Sequence, residues 1–418
     1  MKKILFLSLL PILTVLLACE EDEVLHSALA KTPNDAEHLD KPYVVMVSID
    51  GFRWDYPELH GASNIARIGT EGIRASRMIP SYPSKTFPNH YTIVTGMEPA
   101  EHGLVSNEFY SPARETYYKI KNRKVVEDGS WYGGIPLWSL AESQGMRTAS
   151  YFWVGSEAEI AGYRPSHYLK YNQSLSRDER VDQVINWLEM PKEVRPHLIM
   201  LYFSLVDNAG HDFGPEAPET KEAVREADRI IGQLDARLAS LDLPIHLMIV
   251  SDHGMVNVDR QHPVSLDALV GEDEYIISRS MPAMLYGGDS ARNARKVAEL
   301  NDVAEGRYHA YLKGAVPDTL YTVDNENIGD IILAPVPPYV FGEDTPGVAT
   351  HGYFSGYPEM GAYFSVKGPA IPAADEQLPA FSNVHVYPMV SKLLGLDYAH
   401  EISGADSVLA PYIDESVL

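Results

Sequence analysis

Three carboxylates in this sequence each follow a run of apolar residues that is typical of a buried strand. The runs and their carboxylates are residues 43–49 with Asp50, residues 197–205 with Asp207, and residues 245–250 with Asp252. Three histidines accompany them: His211 four residues after Asp207, His253 beside Asp252, and His351. Gathered carboxylates repel one another unless cations lie among them. Imidazole and carboxylate together form a ligand set for zinc or a similar transition metal, so these residues predict a metal centre.

The charge of such a centre favours one more anionic ligand. Two divalent cations bring +4 and three carboxylates bring −3, so one further negative group would balance the site. An ionised hydroxyl suits that place, and it would also be a nucleophile. The segment PSYPSKTFPNH at residues 80–90 offers such a hydroxyl.

The elements that must position these residues indicate an α/β fold. Near-continuous apolar strands alternate with helices, and the clearest helix is residues 219–241, where Val224, Ile231 and Leu238 recur at helical spacing. This alternation predicts a mostly parallel central sheet with helices on both faces. Open sheets of this kind bind ligands at the carboxyl ends of their strands, where the three carboxylates fall. Residues 266–347 are less regular, and we expect them to form an inserted subdomain, called the cap region below.

Composition narrows the function classes. The chain has 418 residues, 45% of them hydrophobic, which excludes a disordered or collagen-like protein. The chain has 34 Lys and Arg residues and 58 Asp and Glu residues, so its formal net charge is 34 − 58 = −24. It therefore lacks the basic surface that stable binding of a nucleic acid requires. The single cysteine, Cys19, excludes an intramolecular disulfide. The absence of G-x-G-x-x-G, Walker A and G-x-S-x-G removes the best support for dinucleotide, P-loop and serine-hydrolase chemistry.

The first residues predict secretion and a lipid anchor. Lys2 and Lys3 precede an apolar run at residues 4–17, as in a secretory signal peptide. The run ends in LLAC, which resembles the bacterial lipobox, where the cysteine becomes the lipidated first residue. We therefore expect a signal peptide at residues 1–18, lipidation of Cys19, an acidic tether at residues 19–41 and a catalytic domain at residues 42–418. The predicted location is the bacterial envelope, with the protein anchored to a membrane or periplasmic.

The segment around the candidate hydroxyl resembles a known family signature. Residues 83–90, PSKTFPNH, look like the P-x-K-T-F-P-N-H motif of the nucleotide pyrophosphatase/phosphodiesterase family, in the alkaline phosphatase superfamily. Further motifs follow in family order: V-S-I-D-G-F-R, H-G-L-V-S-N, D-x-x-G-H, S-D-H-G-M and T-H-G-Y. The resemblance covers most of residues 43–400. It implies an alkaline phosphatase-like fold and a two-zinc phosphodiesterase that releases nucleoside 5′-monophosphates from nucleotide substrates.

The resemblance also implies a role for each matching residue. Thr86 matches the nucleophile, which forms a phosphothreonine and also ligates one metal. The other ligands of that metal match Asp50, Asp252 and His253, and those of the second metal match Asp207, His211 and His351. Asn107 matches the asparagine that donates to a phosphate oxygen, and the nucleotide pocket matches Phe87, Tyr171 and Tyr202. The residues alone leave other interpretations open: a turn residue for Thr86, a cap for Asn107 and core packing for the three aromatic side chains. The remaining histidines, such as His90 and His102, are assigned no metal role.

Three alternative functions are compatible with the same residues. A lipid headgroup or glycerophosphodiester could replace the nucleotide, and an envelope anchor suits such a substrate. The enzyme could instead cleave phosphomonoesters or phosphonates. A metal-bearing binding protein without turnover is the non-enzymatic alternative, although the nucleophile and every ligand are intact. Manganese or iron could occupy the same ligands as zinc.

The lipid anchor can be tested in growing cells. We expect a clickable fatty acid to label the protein, because the only cysteine lies where a lipobox requires it. The Cys19→Ser variant should carry no label, as measured by in-gel fluorescence of the purified protein. Unlabelled wild-type protein, or a label that survives the substitution, would disprove the anchor.

Overall fold

A computed structural model describes the protein over residues 32–271, 275–317, 319–321, 324–342 and 347–418. The predicted signal peptide, Cys19 and residues 19–31 of the predicted tether lie outside these residues. Across the described part of the chain, no helix has both the length and the apolar character needed to cross a bilayer.

The described residues form strands that build one large sheet and several small ones. In chain order they are β1 (Tyr43–Ile49), β2 (Ile73–Arg74), β3 (Met78–Ile79), β4 (Glu108–Ser111), β5 (Thr116–Lys119), β6 (Thr148–Tyr151), β7 (His167–Leu169), β8 (Leu198–Phe203), β9 (Ile245–Val250), β10 (Val256–Asn257), β11 (Ile276–Ser278), β12 (Ala283–Tyr286), β13 (Tyr308–Leu312), β14 (Ile331–Pro335), β15 (Ala349–Thr350), β16 (Phe364–Lys367) and β17 (Phe381–Ser382).

Helices connect most of these strands. They are α1 (Tyr56–His60), α2 (Ser63–Glu71), α3 (Thr86–Thr95), α4 (Pro99–His102), α5 (Arg123–Val126), α6 (Leu137–Ser143), α7 (Arg177–Leu188), α8 (Leu205–Phe213), α9 (Pro218–Leu238), α10 (Leu266–Val270), α11 (Ser290–Asp302), α12 (Val386–Leu394) and α13 (Asp406–Leu409).

The central sheet has seven strands in the order β2-β16-β9-β1-β8-β6-β7. β1 pairs in parallel with β8 and with β9, and β6 pairs in parallel with β7 and β8. β16 runs antiparallel to β9 and β2. The predicted α/β fold with a mostly parallel sheet is confirmed.

Helices cover both faces of this sheet. In β1, Val44 and Met46 belong to a core that includes residues of α3, α6 and α12. Val45 and Val47, which point to the opposite face, belong to a core that includes residues of α2, α7 and α9. All residues of β1 are therefore buried, which explains why this strand reads as an uninterrupted apolar run.

Two predicted elements differ slightly in their bounds. The strand predicted at residues 197–205 is β8, Leu198–Phe203, because Leu205 already begins α8. The helix predicted at residues 219–241 is α9, Pro218–Leu238. Proline suits the start of a helix, where its missing N–H would have had no partner.

The cap region contains an antiparallel sheet of order β11-β12-β14-β13, together with α10 and α11. On one face of this sheet, Leu285 and Leu333 form a small core with Leu300 of α11. On the other face, Met284 and Ile332 join the core beneath the central sheet. The small sheet is thus packed against the rest of the protein. The bounds of the cap region, residues 266–347, stay a prediction.

The described end of the predicted tether, residues 32–41, is docked on the domain. The Asn34 side chain donates to the carbonyl of Arg195 at 2.9 Å and accepts from the backbone N–H of Arg147 at 2.7 Å. Both partners lie just before strands, β8 and β6 respectively. The chain therefore enters the domain at the amino ends of the parallel strands, away from their carboxyl ends.

Candidate active site

The six predicted metal ligands come from separate parts of the chain and meet at the carboxyl edge of the central sheet. Asp50 follows β1, Asp252 and His253 follow β9, Asp207 and His211 lie one turn apart on α8, and His351 follows β15. Their donor atoms fall into groups within 4.8 Å of one another: Asp207 with His211 and His351, Asp50 with Asp207 and His253, and Asp50 with Asp252 and His90. The fold thus brings all six residues together.

Each of the three carboxylates turns a buried oxygen without a hydrogen-bond partner toward this cluster. These oxygens are Oδ1 of Asp50, Oδ1 of Asp207 and Oδ2 of Asp252. The other oxygen of Asp50 accepts from the hydroxyl of Tyr202 at 2.6 Å, and Oδ1 of Asp252 accepts from the N–H of Gly51 at 3.1 Å. Protein donors therefore hold the carboxylates of Asp50 and Asp252 and leave their free oxygens directed into the cluster. Buried polar atoms of this kind call for a partner, and a cation supplies one.

The three histidines are oriented in the same manner. Nδ1 of His253 lies 2.9 Å from the carbonyl of Gly254, and the corresponding atom of His351 lies 2.8 Å from the carbonyl of Ser84. Nδ1 of His211 lies 2.9 Å from a carbonyl oxygen in β15. A carbonyl can only accept, so Nδ1 carries the proton in each ring, and in the neutral ring Nε2 keeps its lone pair. This arrangement is typical of metal-binding histidines, whose other nitrogen donates to the protein.

Lone pairs meet at short distances inside the cluster. Nε2 of His253 lies 2.9 Å from the free oxygen of Asp252 and 3.4 Å from Oδ1 of Asp50. Nε2 of His211 and of His351 lie 3.5 and 3.7 Å from Oδ1 of Asp207. Two facing acceptors are unfavourable unless a positive charge, a proton or a metal ion, lies between them.

Burial intensifies the electrostatic conflict. Burial raises the pKa of Asp50 well above its usual value, and the charges of Asp252 and Asp207 raise it further. Burial also raises the pKa of Asp207, although His211 and His253 oppose it. A carboxylate that is hard to ionise becomes a stable anion when a cation is its partner. The donor set of oxygen and imidazole nitrogen therefore fits divalent transition metals such as zinc.

A glycine allows β1 and α8 to approach closely enough for this site. Gly51 adopts φ +67°, and a Cβ added there would lie 2.9 Å from Cα of Asp207. Its N–H is also the donor to Asp252 described above. Any larger residue would be strained by the left-handed conformation and would push two ligands apart.

The candidate nucleophile begins a helix that points into the cluster. Thr86 is the first residue of α3, and Lys85 before it provides no side-chain cap. Oγ1 of Thr86 lies 3.4 Å from Nε2 of His253. The free N–H groups and the dipole at a helix N-terminus favour negative charge. Both an ionised hydroxyl and a phosphate group would be stabilised there.

Asn107 lies at the same helix end. Its Oδ1 accepts from the backbone N–H of Phe87 at 2.9 Å, next to Thr86. Because a backbone N–H can only donate, the amide atom that faces it must be the oxygen. The amide nitrogen Nδ2 therefore remains as a donor beside the candidate nucleophile. The turn-or-cap interpretation and the catalytic interpretation of Asn107 are therefore compatible, because each uses a different atom.

The three aromatic residues predicted to line the substrate pocket occupy different environments. Phe87 is partly buried and packs edge-on against Tyr118, with ring centroids 6.3 Å apart. Tyr171 is 41% exposed and contacts the ring of Tyr202 at 6.3 Å. Tyr202 is only 8% exposed, and its hydroxyl is used by Asp50. Tyr171 is the most accessible of the three, whereas Tyr202 supports a carboxylate of the cluster.

Two residues of the signature segment lie closer to the site than the sequence analysis indicated. His90, one turn after Thr86 on α3, places Nδ1 3.3 Å from the free oxygen of Asp252. Burial lowers the pKa of Lys85 to about 8, although the charge of Asp207 opposes the shift. In the sequence, only their positions near Thr86 could have indicated that His90 and Lys85 lie at the site.

Comparison with known proteins gives consistent matches. A family model described as type I phosphodiesterase/nucleotide pyrophosphatase matches residues 44–354. Mouse ectonucleotide pyrophosphatase/phosphodiesterase family member 1 is 31% identical over 382 residues, which cover 87% of this chain and 42% of that protein. Venom phosphodiesterase of Macrovipera lebetinus is 32% identical over 393 residues, 90% of this chain and 45% of that protein. The chain spans less than half the length of these two relatives.

A solved structure shows the same fold. Human ectonucleotide pyrophosphatase/phosphodiesterase 5 superposes with a TM-score of 0.83 at 26% sequence identity. The alignment covers 89% of this chain and 100% of that chain. The arrangement of sheet and helices is therefore shared across the whole of the human chain.

Metal binding by the cluster can be measured directly. We expect chelator-treated protein to take up zinc, and His351→Ala to weaken zinc affinity by about tenfold or more, because one lone pair facing Asp207 is removed. Elemental analysis and competition with a chromogenic chelator would measure both quantities. His262→Ala is the matched control, since that ring is 68% exposed and contacts Asp259 outside the cluster. Equal zinc affinity in wild type and His351→Ala would contradict the assignment.

Proposed function

Because the chain belongs to the type I phosphodiesterase/nucleotide pyrophosphatase family, we propose that it hydrolyses nucleotide phosphodiester and phosphoanhydride bonds and releases nucleoside 5′-monophosphates. The main support is a single hydroxyl, Oγ1 of Thr86, 3.4 Å from Nε2 of His253 within a buried set of carboxylates and imidazoles. A hydroxyl at a helix N-terminus beside such a donor set is suited to attack on phosphorus.

Two divalent cations, which we expect to be zinc, would complete this site. Asp50, Thr86, Asp252 and His253 would hold one of them, and Asp207, His211 and His351 would hold the other. When bound, such ions act as Lewis acids that favour ionised oxygen nucleophiles and neutralise charge on the phosphoryl group. The unpartnered carboxylate oxygens and the facing imidazole nitrogens support this assignment.

Thr86 carries the covalent step. Its hydroxyl loses a proton, and Oγ1 forms a bond to phosphorus while the bond from phosphorus to the leaving oxygen breaks. The leaving group departs with the electron pair and takes up a proton. The phosphothreonine so formed still carries the nucleoside on its phosphorus. Water then attacks this phosphorus and loses a proton, the bond from phosphorus to Oγ1 breaks, and Oγ1 takes up a proton as the nucleoside 5′-monophosphate is released. The start of α3 favours the negative charge that Thr86 carries before attack.

Asn107 stabilises the phosphoryl group during both steps. Because Oδ1 is held by the N–H of Phe87, the amide keeps a fixed direction and needs no reorganisation during the reaction. Its Nδ2 donates to a non-bridging phosphate oxygen. A neutral donor suits a phosphodiester, which carries one negative charge fewer than a monoester.

The nucleotide preference is supported by aromatic surface next to this chemistry. Tyr171 is 41% exposed and packs against Phe152 at 5.2 Å and Tyr202 at 6.3 Å, so its ring is held by other rings. Phe87 directly follows the nucleophile in the chain. Aromatic faces bind nucleobases by stacking, which contributes about 1–3 kcal/mol per base.

The remaining proposal concerns location. We propose that the catalytic domain is held at the bacterial envelope by a lipid on Cys19, on the basis of the lipobox-like LLAC at residues 16–19. Fatty-acid labelling, as described above, tests it.

Loss of the nucleophile should abolish turnover. We expect Thr86→Ala to lower kcat for p-nitrophenyl thymidine 5′-monophosphate by about 10³-fold or more, because the covalent step is removed. Thr86→Ser, which keeps a hydroxyl, is the matched control and should retain a measurable fraction of activity. Intact-mass analysis of quenched reactions should show wild-type protein that carries a covalently bound thymidylyl group, and no such adduct in Thr86→Ala.

The outcome that would contradict the mechanism is full activity in Thr86→Ala. The same preparations should be given ATP, glycerophosphocholine and p-nitrophenyl phosphate, with products identified by mass spectrometry. We expect AMP from ATP as the main product. A large preference for glycerophosphocholine or for the monoester would overturn the nucleotide proposal while leaving the metal chemistry intact.

A pair of substitutions separates the two functions of Asn107. Asn107→Asp keeps an acceptor for the N–H of Phe87 and loses the amide donor, whereas Asn107→Ala loses both. We expect kcat to fall by about 10²–10³-fold in both variants, the usual effect of removing one transition-state donor. Only Asn107→Ala should also lower the melting temperature. If Asn107→Asp kept wild-type kcat, Asn107 would be a cap alone.

A further inference from the structure

His90 is buried one turn after Thr86 on α3, and its Nδ1 faces two groups of the active site. Nδ1 lies 2.9 Å from the carbonyl oxygen of Thr86 and 3.3 Å from Oδ2 of Asp252. The ring is fully buried. One nitrogen atom thus contacts both the backbone of the candidate nucleophile and the free oxygen of a metal-ligand carboxylate.

The carbonyl of Thr86 determines which tautomer of His90 is present, and Ser48 contacts the other ring nitrogen. Nε2 lies 2.7 Å from Oγ of Ser48, a residue of β1 two positions before Asp50. Since the Thr86 carbonyl can only accept, Nδ1 carries the proton and Nε2 accepts from the Ser48 hydroxyl. Both nitrogens are engaged, so His90 keeps no lone pair for a metal even though it lies within reach of Asp50 and Asp252.

Neighbouring rings fix the orientation of the imidazole. Trp153 and Tyr202 contact it edge-on, with ring centroids 5.4 and 5.2 Å away. The indole N–H of Trp153 also donates to the carbonyl of His90 at 3.1 Å. Tyr202 in turn donates to Asp50. The direction of the Nδ1–H bond is therefore set by packing and does not depend on a substrate.

We propose that His90 is a positioning residue that keeps the start of α3 and the carboxylate of Asp252 at one fixed separation. Its Nδ1–H donates to the carbonyl of Thr86, and the positive end of the same N–H dipole attracts Oδ2 of Asp252, 3.3 Å from Nδ1, without a second hydrogen bond. Ser48 holds the tautomer that makes this possible. The inference rests on the function proposed above, since it assigns Thr86 and Asp252 to one reaction centre. Its consequence is that the hydroxyl of Thr86 and the ligand set of one metal are aligned before substrate binds.

Two substitutions at His90 test the proposal. In His90→Asn the amide nitrogen lies three bonds from Cα, as Nδ1 does, so the donor is retained; in His90→Leu it is lost. We expect His90→Leu to lower kcat and to weaken zinc affinity, each by about 10–100-fold, with KM within about twofold of wild type. His90→Asn should recover most of both losses. Chelator competition on substrate-free protein measures the zinc affinity.

His102 supplies the matched control. It is also buried, with Nε2 3.1 Å from Oγ1 of Thr92 and Nδ1 accepting from the N–H of Leu104, and it contacts none of the metal-ligand residues through these nitrogens. Melting temperatures of His102→Leu and His102→Asn show how much a buried imidazole contributes to stability alone. We expect both to keep wild-type zinc affinity.

Several results would overturn the positioning role. Unchanged zinc affinity and kcat in His90→Leu would exclude it, and equal losses in His90→Asn and His90→Leu would show that the donor is irrelevant. Loss of one zinc equivalent per chain in both variants would identify His90 as a ligand. Because zinc affinity is measured without substrate, failure of the nucleotide assignment or of the Thr86 mechanism would leave this readout unaffected.

Discussion

Asp50, Asp207 and Asp252 each direct one carboxylate oxygen, without a hydrogen-bond donor, into the same buried space. Holding three such groups together costs several kcal/mol per unpaired charge unless positive charge is bound between them. Hydrogen bonds from Tyr202 and Gly51 to the second oxygens of Asp50 and Asp252 offset part of this cost. The fold therefore sets the direction of the free oxygens, and a bound cation would find these side chains already oriented.

Strand order explains why the carboxylates meet. β9, β1 and β8 are adjacent in the sheet and run parallel, so the residues that follow them lie side by side, at strand spacings of about 4.8 Å. Asp50 follows the middle strand and therefore has Asp252 on one side and Asp207 on the other. His351, which follows β15, and Thr86, the first residue of α3, then complete the cluster from outside the central sheet.

The sequence predicted those parts of the structure that depend on local patterns. β1, β9 and α9 were predicted within a few residues, because apolar runs and helical periodicity depend on near neighbours in the chain. The contact of Tyr202 with Asp50 could not be predicted in this way, since a tyrosine in a buried strand looks the same whether its hydroxyl is used or not. The small antiparallel sheet of the cap region was missed as well, because its short strands are separated by irregular segments and its pairing is non-local. The roles suggested by the family resemblance required alignment to known motifs, not periodicity.

Hydrogen bonds also link the predicted metal ligands to the candidate nucleophile through the backbone. His351 donates to the carbonyl of Ser84, two residues before Thr86, and His90 donates to the carbonyl of Thr86 itself. The hydroxyl of Thr86 lies 3.4 Å from Nε2 of His253. Three imidazoles thus contact the segment at the start of α3. Because a ligand that binds the folded state stabilises it, cations bound at this cluster would also stabilise the contacts that hold the Thr86 hydroxyl in place.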